Sequence, residues 1–81
     1  MPETTTAQPE PSAAAPQGSH HWVMTLEIPG RACLTESHTW TPPAGFTRYD
    51  AYLTIRSSLV DAHPEMARAN VVFFSITPNA L

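Results

Sequence analysis

Four histidines, His20, His21, His38 and His63, and one cysteine, Cys33, are the side chains of this 81-residue chain best suited to bind a metal or carry out chemistry. Imidazole and thiolate groups converge on zinc when they recur a few residues apart on one element. Here His20 and His21 are adjacent, so only one of them can point to a given face of a strand. His38 approaches them only across a hairpin, and Cys33 sits at the opposite end of that hairpin. No metal site and no cofactor are expected. Cys33 beside a histidine would make a nucleophile and its base, but a single Cys following a turn reads as a small buried hydrophobe. No catalytic residue is assigned, and the chain reads as non-enzymatic. The remaining candidates are aromatic: Trp22, Trp40, Tyr49 and Tyr52, with Phe46, either line a ligand pocket or form the core of a small domain.

Whatever positions these side chains must be small. Residues 1–19 hold four of the nine prolines and no aromatic, Ile, Leu or Val. Such a stretch cannot offset an ordering entropy of about 1–2 kcal/mol per residue, and it reads as a disordered tail. One domain, residues 20–81, is left to fold. A domain of about 60 residues buries only about 60% of the surface its unfolded chain exposes, so it gains from staples or partners. One cysteine allows no intrachain disulfide.

Charge and hydropathy narrow the partners. The net charge is −3, with four arginines and no lysine. Arg31, Arg48, Arg56 and Arg68 are spread along the domain, whereas nucleic-acid affinity needs clustered basic groups to neutralise phosphates. Nucleic acid is therefore disfavoured. The longest apolar run, Val71 to Phe74, is too short to span a bilayer, and no signal peptide is visible. The expectation is a cytoplasmic protein without membrane contact. The absence of lysine beside abundant Ala, Pro and Thr reads as the coding bias of a GC-rich bacterial genome.

Along the domain, residues 21–28 alternate, with Trp22, Met24, Leu26 and Ile28 on one side and Val23, Thr25 and Glu27 on the other. This is the period of a half-buried strand. Pro29-Gly30 fits a type II turn, whose twist suits a loop of three to five residues better than a two-residue hairpin. A second strand follows from Ala32 to Thr41. A three-residue loop pairs Ile28 with Ala32 and Leu26 with Leu34, whereas a five-residue loop pairs Ile28 with Leu34 and Trp22 with Trp40. Either register puts Glu36 on the apolar face, a conflict that a β-bulge or an early strand end would resolve. Thr47, with Asp50 three residues on, is an N-cap and a shortened capping box. Tyr52, Ile55, Leu59 and Ala62 give a helical stripe, widened by Tyr49, Leu53 and Val60. Pro64 ends the helix and opens one short turn. A last strand spans Asn70 to Thr77, with Val72, Phe74 and Ile76 on one face and Val71 and Phe73 on the other.

The order ββαβ predicts an α+β fold: a three-stranded sheet with one helix across one face. A right-handed crossover places the first strand in the middle, in order 2-1-3, antiparallel to both neighbours. One helix covers one side only. Val23, Val71 and Phe73, with Cys33, are then expected on the other, where an apolar patch with a polar surround marks an interface. The functional expectation is a small regulatory or assembly protein acting as a homodimer or on another protein. The alternative is a small-ligand-binding or enzyme-accessory domain using the aromatic cluster.

Overall fold

A computed structural model describes residues 16–81, in the order β1 (His20–Ile28), β2 (Ala32–Trp40), α1 (Arg48–Ala62), a 3₁₀ turn (Pro64–Met66) and β3 (Asn70–Pro78). The reading of residues 1–15 as disordered tail lies outside the described residues. The three strands form one open sheet in the order β2-β1-β3, with β1 antiparallel to both neighbours.

Local chemistry accounts for the joints. Gly30 carries φ 74° behind Pro29, and the Arg31 amide donates to the Ile28 carbonyl at 2.9 Å, as a type II turn requires. The loop has three residues, so Ile28 faces Ala32, Leu26 faces Leu34 and Trp22 faces His38. Of the two open registers, this is the one formed. A second such turn, with Gly45 at φ 86° and the Phe46 amide donating to Pro43, delivers the chain to α1. There the Thr47 hydroxyl accepts from the Asp50 amide and the Asp50 carboxylate from the Thr47 amide, both at 3.1 Å, a full capping box. Pro64 stops the helix at His63 and sits at the first position of the 3₁₀ turn.

The core lies between β1 and α1. Met24 and Leu26 are completely buried, joined by Trp22 from the same face of β1, Ala51, Ile55 and Leu59 from α1, and Met66 and Ala69 from the crossover. The buried row of the helix is narrower than its apolar stripe. Tyr52 and Val60 are half-buried, and Tyr49, Leu53 and Ala62 are exposed. That buried row is Ala51 and its i+4 successors Ile55 and Leu59, with Tyr52 packed at its side.

Three expectations change. No bulge or break relieves Glu36: β2 runs through it to Trp40, opposite Met24. The bulge lies instead in β3, where Leu26 pairs with Val71 and Thr25 with Phe73, leaving Val72 as the extra residue. Val71 therefore turns inward against the core and Val72 outward, at 53% exposure, the reverse of strict alternation. Finally, Gly18 and Ser19, read as the end of the tail, are fastened to the sheet. Their amides donate to the Thr39 and Thr41 hydroxyls at 2.9 and 3.0 Å, and the Asn79 amide donates to the Ser19 carbonyl at 2.8 Å.

Candidate functional site

The helix covers one side of the sheet, and among the described residues the other is open apart from the corner at Thr39, where Gly18 is bonded. This open face divides in two. Toward β2 it is a ladder of hydroxyls and imidazole: Thr25 and Thr35 bond through their Oγ1 atoms at 2.8 Å, and His21 Nε2 meets Ser37 Oγ at 2.7 Å. Toward β3 it is partly apolar, with Ser75 and Thr77 in the same row as Phe73. Phe73, opposite Thr25, is 52% exposed beside the equally exposed Val72, and Val23 lies half-buried one rung away, opposite Ser75. Of the three residues expected to form an interface, Val23 and Phe73 share this face and Val71 does not. Cys33 is exposed on the same face opposite Glu27, and is not the buried hydrophobe expected.

The aromatics separate into two groups. Trp22 and Trp40, with His38, line a cleft of about 240 Å³ between β2 and the helix residues Thr54, Ile55 and Ser58. The Trp22 and His38 rings are 5.5 Å apart, and Trp40 meets Phe46 edge-on at 5.9 Å. On the β3 side, Tyr49 stacks on Tyr52 at 5.9 Å, Tyr52 meets Phe74 edge-on at 5.5 Å, and the Arg48 guanidinium lies 4.9 Å over the Phe74 ring. Trp22 and Trp40 thus border the β2-side cleft, whereas Tyr49 and Tyr52 stack beside Phe74 of β3. A second cleft, of about 330 Å³, opens at the start of the helix between Ser19, Pro42, Phe46, Arg48 and Pro78.

Beside the first cleft, Glu36 is held by two imidazoles: His38 Nε2 at 3.0 Å and His63 Nε2 at 3.7 Å, with Glu65 3.8 Å from the other nitrogen of His63. This explains how a carboxylate stands on the helix-side face without a bulge. The side chain is partly solvated and hydrogen-bonded to His38, with the His63 ring close by. The contact joins β2 to the end of the helix over a sequence distance that no spacing rule reaches. Among the described residues, no group of three or more His, Cys, Asp or Glu is arranged to hold a metal ion, and no helix is long and apolar enough to cross a membrane.

The chain matches no protein-family model, no curated protein and no solved structure. Its functional reading therefore rests on geometry.

Proposed function

We propose that this is a non-enzymatic interaction or assembly protein that pairs with a second copy of itself through the open face of its sheet. The observation that carries the reading is the uncovered, partly apolar half of that face, with Phe73 and Val72 each about half exposed beside Val23. Three strands of nine residues present a patch of roughly 30 by 14 Å, about 400 Å². If wholly apolar, that area would contribute about 10 kcal/mol per protomer at 25 cal/mol per Å², an upper bound before an association cost of about 4–15 kcal/mol. The hydroxyl ladder lowers that bound. With about 800 Å² buried in total, the pair falls below the stable interface class and into the dissociable one.

The net charge of −3, with four arginines and no lysine, supports a protein rather than a nucleic-acid partner. The division of the aromatics into two pairs supports an interaction face over a single ligand pocket. Light scattering across a dilution series tests the proposal. Wild type should pass from dimer to monomer mass in the micromolar range, and Phe73→Asp should be monomeric throughout with its circular dichroism intact. A wild type that is monomeric at the highest concentration would end it.

A further inference from the structure

The two edges of the sheet are treated differently. The β3 edge is blunted in three ways: the bulge at Val71-Val72, the closing Pro78, and Arg48, whose Nη2 donates to the Phe74 carbonyl at 3.2 Å. Bulges, prolines and basic side chains are the usual means of stopping a strand edge from pairing with another chain. The β2 edge has none of these three, and its one charged side chain, Glu36, stands on the helix-side face. Ala32–Trp40 runs nine residues in unbroken register with β1, contains no Pro, Lys or Arg, and has no strand on its other side among the described residues. Every second residue of such an edge presents its N–H and C=O outward.

Beside this edge lies the cleft floored by Trp22 and walled by His38, Trp40, Thr54, Ile55 and Ser58. Its volume, about 240 Å³, is below the ~300–1,000 Å³ usual for small-molecule sites and suits one apolar side chain. Two residues along the same face of β2 stands Glu36, whose carboxylate meets the His38 wall of the cleft at 3.0 Å. An unpaired edge with a side-chain seat next to it is the arrangement by which sheets take up an added peptide strand. We propose that β2 binds an extended peptide segment of another protein as a fourth strand. Its apolar side chain would enter the Trp22–Trp40 cleft, and a basic side chain two residues on would pair with Glu36. Every strand pair in the sheet is antiparallel, so the added strand runs antiparallel to β2 and reads Leu-x-Arg from its N-terminus.

The probe is the acetylated, amidated peptide Thr-Thr-Leu-Thr-Arg-Thr-Thr, titrated into the full-length ¹⁵N-labelled chain and into Phe73→Asp, with amide shifts followed by NMR. Saturable shifts should be confined to residues 34–40 and 54–58. Two versions of the peptide, N-methylated at alternate residues in opposite phase, test the backbone pairing without altering the protein. One phase should weaken binding at least about tenfold and the other little, because only one set of amides faces the edge. Replacing Arg by Glu in the peptide should weaken binding about tenfold, and Glu36→Gln should remove most of that preference. Four results would overturn the proposal: no saturable shift up to about 1 mM, the weak limit of specific recognition; equal binding of both N-methylated phases; shifts centred on Phe73; or β2 amide shifts that follow dilution of the protein alone, which would make a second copy the occupant.

Discussion

Gly18 lies against the backbone of Trp40 so closely that a Cβ would overlap the N, Cα and C atoms of that residue. Overlap with backbone cannot be relieved by a rotamer change. Gly18→Ala must therefore lift the incoming chain off the sheet, releasing the bonds from Gly18 and Ser19 to Thr39 and Thr41 and from Asn79 to Ser19. At about 0.5–1.5 kcal/mol net per hydrogen bond, and with most of these groups able to turn to water, the expected loss is about 1–2 kcal/mol. Hydrogen exchange should locate it: Ser19 and Asn79 amides should lose protection while Met24 and Leu26 keep theirs. Unchanged protection at Asn79 would show that the clamp does not depend on Gly18. In the sequence, Gly18 stands among Gln, Ser and Pro and reads as tail, because its constraint comes from Trp40, 22 positions later. Glu36 was legible as a conflict, while its answer, His63, was not, since the pairing exists only once the helix has crossed the sheet.

At the scale of elements, what could be read from the chain was what local chemistry decides. The alternation of β1, the Pro29-Gly30 turn, the Thr47–Asp50 cap and the stop at Pro64 all form where their residue types place them. The bulge in β3 was not legible: Val71 to Phe74 is a continuous apolar run that suits either face at every position, and only the pairing with β1 shows where the extra residue lies. It can be tested by a paired substitution. Val71 packs against the core and Val72 is half exposed, so Val71→Asp should cost about 2–4 kcal/mol by placing an unpaired carboxylate against Leu26. Val72→Asp should cost within about 0.5 kcal/mol in the monomer. Urea titrations of both variants in a Phe73→Asp background would compare them without contribution from self-association. The reverse ranking would mean that strict alternation holds and the bulge is absent. The candidate interface was legible to the same degree as β3: Val23 and Phe73 stand where period two places them, and Val71 moved with the bulge.

For the molecule as a whole, a small core means that the proposed association would be coupled to folding. Among the described residues the fully buried large side chains are Met24 and Leu26, so a domain of this size has a stability near the low end of about 5–15 kcal/mol. A partner that binds only the folded form raises that stability by mass action. For a dimer, each tenfold rise in protein concentration above the dissociation constant adds RT ln 10, about 1.4 kcal/mol, per pair, or about 0.7 kcal/mol per protomer. In a domain of 60–100 residues, 1 kcal/mol moves the midpoint by about 4–8 °C, so each such decade should raise the Tm by about 3–6 °C. Melting curves at a few micromolar and at a few hundred micromolar should therefore separate for wild type and coincide for Phe73→Asp. Leu26→Ala, costing about 2–5 kcal/mol from the centre of the core, should lower both wild-type midpoints while preserving the gap between them, because the open face is intact. If the wild-type curves coincide within a degree over that range, folding is not coupled to self-association, and the exposed Phe73 and Val72 have some role other than pairing two copies of this chain.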